Sequence, residues 1–118
     1  MTTITATDCS RLLSMLRLNT GPRSNIGLVS VEILLLLADH ERLSTADLIN
    51  ETGATDGQVS RGARLFLVWF DKKAGVVRKP ELYLIQRRRK GKQYWFHLTS
   101  KGRALLRQAG VMNPCPGT

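Results

Sequence analysis

Residues 51–61 read ETGATDGQVSR. Gly53 suits the position just past a helix end, which often needs φ > 0, a conformation that only glycine adopts cheaply. Two residues later, Thr55 and Gln58 fit the capping box S/T-x-x-E/Q, so a new helix begins at once. Working upstream, Ser44 is a good N-cap and Asp47 stands three residues on, where a carboxylate is welcome in the first turn. The spacing predicts a short helix from Ser44 to Gly53 with Ala46, Leu48 and Ile49 as its apolar stripe, then a tight turn, then a second helix.

From Thr55 onward, Val59, Gly62, Ala63, Phe66 and Phe70 recur at helical spacing, so the second helix is expected over about 55–70. Its opposite side carries Gly57, Arg61 and Arg64, flanked by Gln58 and Ser60, as an exposed face. LFLVWF (65–70) is apolar on nearly all sides, so these turns are expected to be buried, with a buried strand as the competing reading. Further on, LYLIQRRR and QYWFHL are rich in β-branched and aromatic residues. The intervening RKGK supplies the glycine of a hairpin loop, so strands are expected at about 81–88 and 93–98. Alternation puts Tyr94, Phe96 and Leu98 on the core, with Trp95 and His97 on the other face. Thr99 caps a last helix, 100–109, with Ala104, Leu105 and Gln108 near one side, and residues 110–118 form a flexible tail.

Toward the N-terminus, Thr7 or Asp8 can cap a helix over 8–18 that carries Leu12, Leu13, Met15 and Leu16. NTGPRSNIG (19–27) reads as a loop. Ser30 then precedes VEILLLLADHE, too apolar for an exposed amphipathic helix and therefore expected as the central buried one. The domain plan is an N-terminal helix and loop over 1–27, one folded domain over 28–109, and the tail.

The chain has 118 residues, enough for one core. The apolar run Ile33–Ala38 is far short of the ~20 residues that span a bilayer, and the N-terminus lacks a secretory pattern. An intracellular protein with no membrane association is the expectation. Cys9 and Cys115 have no metal or redox spacing and are expected as two reduced thiols. The net charge of +9 is concentrated in one half: residues 1–71 hold six Lys/Arg against eight acids, whereas residues 72–118 hold twelve against Glu81 alone. Such asymmetry suggests a surface for a polyanion.

The order helix, helix, helix-turn-helix, two-stranded hairpin, helix resembles a winged helix-turn-helix DNA-binding domain over roughly residues 28–109, an α+β fold that is mainly α with a small β-hairpin. Leu48, Gly53, Ala54 and Val59-Ser60-Arg61 stand at the pattern positions of such units, and Ile49 stands where a small alanine is usual. LTSKGRALL (98–106) is similar to the junction that follows the wing in MarR-like regulators, although that family's Asp and Arg pair in the wing is replaced here by QRRRKGK.

What the resemblance implies is a recognition helix in the major groove, which is wide enough to admit one. Arg61 and Arg64 would donate to guanine or phosphate, and Gln58 would address adenine. Thr55 and Ser60 would hold phosphates, with Ser44 and Thr45 supporting the backbone contact from the preceding helix. Gly57 would sit where the helix meets the groove, and Asp56 would support the helix start or accept from cytosine. The wing residues Arg87, Arg88, Arg89, Lys90 and Lys92 would reach the minor groove or backbone. Double-stranded DNA is thus the expected partner. A homodimer built through helix 8–18 and the last helix is expected too, since twofold pairing on a palindromic site doubles specificity.

The role implied is a cytoplasmic, nucleoid-associated transcriptional repressor. Rival readings are an origin-binding replication or partition protein, a winged-helix protein-interaction module, and an RNA binder acting through the basic hairpin. No cofactor or metal is expected. His40 and His97 stand far apart in sequence, and no Ser-His-Asp set, paired carboxylates or glycine-rich phosphate loop emerges, so no enzymatic activity is expected.

Overall fold

Five consecutive apolar residues, Ile33–Leu37, can all be buried only if the helix carrying them is covered on every side. The computed structural model, which describes residues 5–20 and 26–111, places them in α2 (Leu28–Asp39), and all five are buried. Around α2 pack α1 (Ala6–Thr20), α3 (Thr45–Thr52), α4 (Asp56–Arg64) and α5 (Ser100–Gln108), together with β5 (Gln93–Leu98). Leu12 and Leu16 of α1, Leu48 of α3, Val59 and Ala63 of α4, and Leu105 and Leu106 of α5 complete one apolar core. The fold is a compact α+β domain.

Two helix starts differ from the sequence reading. α2 begins at Leu28 behind an extended Gly27, not after Ser30. Ser30 lies inside the helix, buried, and its hydroxyl donates to the Gly62 carbonyl at 2.9 Å, so it ties α2 to α4 instead of capping. In α1, Thr5 rather than Thr7 or Asp8 supplies the capping oxygen, accepting from the Asp8 N–H at 3.1 Å.

The second helix is also shorter than expected. α4 ends at Arg64, and Trp69–Asp71 forms β2, paired antiparallel with β3 (Val76–Arg78). Phe66 explains the break: its carbonyl accepts from the N–H groups of both Leu84 and Ile85, at 3.0 and 3.1 Å, and so is not free to continue a helix. Phe66 and Leu67 are buried, but Phe70 is 57% exposed, so neither the extended helical stripe nor a buried strand describes it. The β2–β3 ribbon closes through Asp71, whose side chain accepts from Lys73 and Ala74 N–H groups, and through Gly75 at φ 69.

A three-stranded antiparallel sheet joins Leu43–Ser44 (β1), β5 and Ile85–Lys90 (β4), in that order. β1 (Leu43–Ser44), which the sequence did not signal, pairs Leu43 with Phe96 and Ser44 with Trp95. β4 spans Ile85–Lys90, four residues later than expected at its start. The reason is that Leu82 and Leu84 are buried, while Leu84 bonds through its backbone to Phe66 and Thr99 instead of to β5. The hairpin loop is Gly91-Lys92 alone, because Lys90 pairs with Gln93; Arg89 and Lys90 thus belong to the strand.

Phe96 and Leu98 reach the core as expected, but Tyr94 is exposed, because the hairpin projects beyond the helices there. At α5, Thr99 is the cap, accepting from Gly102 N–H at 3.0 Å. The buried residues of that helix are Gly102, Leu105 and Leu106, while Ala104 and Gln108 face outward. Cys9 is half-buried, and burial first, then Glu32 and Asp8, push its thiol above the ordinary value. Cys115 and the tail from residue 112 lie outside the described residues.

Candidate nucleic-acid interface

The α3–turn–α4 unit is fixed by two reciprocal caps. Ser44 Oγ accepts from Asp47 N–H at 3.1 Å while Asp47 accepts from Ser44 N–H at 3.0 Å. Gly53, at φ 72, ends α3 with its N–H on the Ile49 carbonyl. Thr55 Oγ1 then accepts from Gln58 N–H at 3.2 Å and Gln58 Oε1 accepts from Thr55 N–H at 2.9 Å. Both boxes satisfy backbone donors at the helix starts, which have no partner within the helix itself. Of the two residues assigned to backbone support, Ser44 is buried and its hydroxyl is engaged inside the cap, whereas Thr45 is half-buried.

Outward from α4 stand Thr55, Gly57, Gln58, Arg61 and Arg64, all exposed, with Ser60 half-buried; Val59 and Ala63 turn into the core. The Arg61 guanidinium folds back one turn over Gly57, where an added Cβ would lie 3.3 Å from Nη1. Gly57 therefore makes room for that guanidinium. Arg64 is drawn to the other end of the helix, its guanidinium 4.4 Å from the centre of the Trp69 ring. Gln58 has its carbonyl oxygen committed to the cap, which leaves the amide N–H groups for an outside acceptor. A two-point contact with adenine would require Gln58 to leave the capping box.

On the β4–β5 hairpin, cross-strand register sorts the cations by face. Arg87 and Arg89 lie on the side of Tyr94, at 4.5 and 5.8 Å from its ring centre. Arg88 and Lys90 lie on the opposite side, with Trp95 opposite Arg88. Lys92 stands in the turn, and neither strand carries an acid. Sequence reasoning missed Arg42, which stacks on Trp95 at 4.9 Å from outside the hairpin. It also missed Arg103 of α5, which donates to the Leu98 carbonyl at 3.1 Å beside the same face. The alternation of β5 did announce Trp95, but the Arg42 contact depends on β1, whose two residues are too few to show a strand pattern.

His97 sits on that outer face in a 3.0 Å hydrogen bond between its Nε2 and Gln86 Oε1. Burial first, then the charges of Arg88 and Arg103, hold its imidazole below the ordinary histidine range. Among the described residues, no group of three or more His, Cys, Asp or Glu gathers as metal ligands, and no helix is long and apolar enough to cross a membrane. No family model matches the chain, and no curated protein or solved structure matches it either.

Proposed function

We propose that the chain is a winged helix-turn-helix protein, MarR-like in its wing-to-helix junction, that binds duplex DNA sequence-specifically and regulates transcription as a repressor. The observation that carries this reading is the pairing of an α4 whose start is closed by a reciprocal capping box, with the Arg61 guanidinium laid over Gly57, and a hairpin bearing five cations and no acid. An exposed helix of this kind suits the major groove, where an arginine can donate to guanine O6 and N7. Guanidinium and ammonium groups along the hairpin suit phosphates, whose neutralisation supplies affinity without sequence information. The order β1-β5-β4, with β1 and β5 packed against α3, supports the winged arrangement.

Pairing of two copies through α1 and α5 is part of the proposal. It is supported by an open groove between them, lined by Ser14, Met15, Leu18 and Ala109, and by Leu18 at 81% exposure. Sequence selection from random duplex DNA at near-physiological salt tests the reading, with a palindromic consensus as the expected result. On that consensus, Arg61→Ala is expected to weaken binding by about 1–3 kcal/mol and relax preference at one position of each half-site. Equal retention of all sequences, unaffected by Arg61→Ala, contradicts it.

A further inference from the structure

The outer face of the three-stranded sheet is not flat. A cleft of about 470 Å³ opens there, and its lining places Arg42, Arg88, Lys90 and Arg103 around Trp95 and His97. Arg89 borders the cleft too, but its guanidinium lies over Tyr94 on the other face, so four bases face the single carboxylate of Glu41, a net of +3. The elements that bring these cations together are separate: Arg42 precedes β1, Arg88 and Lys90 belong to β4, and Arg103 to α5. Two of the guanidiniums are held in place, Arg42 on the Trp95 ring and Arg103 by the Leu98 carbonyl. Fixed guanidinium forks match phosphate oxygens in two-point fashion, and fixing them beforehand lowers the entropy lost on binding. That size lies within the ~300–1,000 Å³ typical of small-molecule sites.

We propose that this cleft is a binding site for a small ligand carrying a di- or triphosphate group. The charge selects the class: a net of +3 is matched by an anion bearing several charges on clustered oxygens, which a monocarboxylate does not offer. Phosphates lie among Arg88, Lys90 and Arg103, and the volume left beside Arg42 is where a planar group would stack, on the outer side of the guanidinium that already covers Trp95. Arg88 and Lys90 are shared with the hairpin assigned above to DNA phosphates, so ligand in the cleft withdraws two cations from the duplex. The site itself does not depend on the duplex reading.

The test uses the full chain with Trp69→Phe, which leaves Trp95 as the sole indole of the two in the sequence. Its fluorescence is followed during titration with inorganic pyrophosphate and with ATP, against sodium chloride of equal ionic strength. A saturable change is expected with both phosphates and not with chloride. Removing one charged contact by Arg42→Ala or by Arg103→Ala should weaken it about tenfold. Arg61→Ala, outside the cleft, should leave it within about twofold. Thermal melts check that Arg103→Ala still folds, and Arg42, fully outside the core, gives the second variant. No saturable response to either phosphate, or a response indifferent to Arg42→Ala and Arg103→Ala, overturns the proposal. A duplex that perturbs Trp95 through Arg103 while pyrophosphate and ATP do not also overturns it, because the cleft would then be a backbone contact of the DNA surface. Phosphate binding together with no duplex binding upholds the cleft and sinks the regulator reading.

Discussion

Gly57 separates two demands that a single residue seldom separates. It lies in the first turn of α4, where glycine costs about 0.5–1 kcal/mol relative to alanine in backbone entropy. Nothing in its φ requires glycine, since the only positive-φ glycines among the described residues are Gly53, Gly75, Gly91 and Gly110. What occupies the space above it is the flexible end of Arg61, 3.3 Å from where a Cβ would be. Alanine there meets a side chain that can swing away rather than backbone that cannot. Gly57→Ala should therefore raise stability by about 0.5–1 kcal/mol in urea or thermal unfolding. If α4 enters the groove, the same change should lower duplex affinity by displacing the guanidinium and by holding the backbone farther from DNA. A variant that is both more stable and as tightly bound as the parent would show that Gly57 has no part in binding.

At the scale of elements, the parts that were legible in the sequence are those set by local chemistry. Ser44 with Asp47, Thr55 with Gln58, and Gly53 between them marked both helix starts and the end of α3, because a cap needs only residues three apart. Alternation placed Phe96 and Leu98 correctly. What escaped depended on distant partners: the end of α4 is set by Leu84 and Ile85 bonding to the Phe66 carbonyl, about twenty residues away in the chain. The β2–β3 ribbon stayed hidden for the same reason, since Phe66 and Phe70 continue a helical stripe in sequence although only Phe66 is buried. The α5–β4 junction is another long-range contact with a measurable consequence. A Cβ on Gly102 would run into the Leu84 carbonyl, which already accepts from Thr99 N–H at 3.0 Å. Gly102→Ala should cost about 1–3 kcal/mol in urea unfolding as α5 is pushed off the start of β4. Gly62→Ala, where the nearest atom is a Val29 methyl at 3.2 Å, should cost less, because a side chain can yield where the Leu84 backbone cannot.

Across the whole molecule, charge asymmetry in the sequence becomes asymmetry in space. Twelve of the eighteen Lys and Arg residues follow position 71, and apart from Lys79, just past β3, the structure distributes them over the β2–β3 ribbon, the β4–β5 hairpin and α5. The excess itself could be read by counting; which cations share a surface could not, because that follows from strand register and from where α5 packs. Arg88 and Lys90 face Trp95 and the cleft, whereas Arg87 and Arg89 are gathered on Tyr94. The pairs are thus chemically alike but differently placed, and they should respond differently to salt. Each phosphate neutralised contributes about −0.9 to the slope of log K against log salt concentration, so replacing two contacting cations by alanine flattens that slope by about 1.8. If the hairpin tracks a duplex with its outer face, Arg88→Ala with Lys90→Ala should show that full loss. Arg87→Ala with Arg89→Ala should show less, because those guanidiniums are held over the Tyr94 ring. Fluorescence anisotropy of a labelled duplex across a salt series measures both slopes. Equal flattening by the two pairs would mean that both faces of the hairpin meet phosphate, as they would if its tip were inserted edgewise into a groove, and an unchanged slope in both would remove the hairpin from the interface.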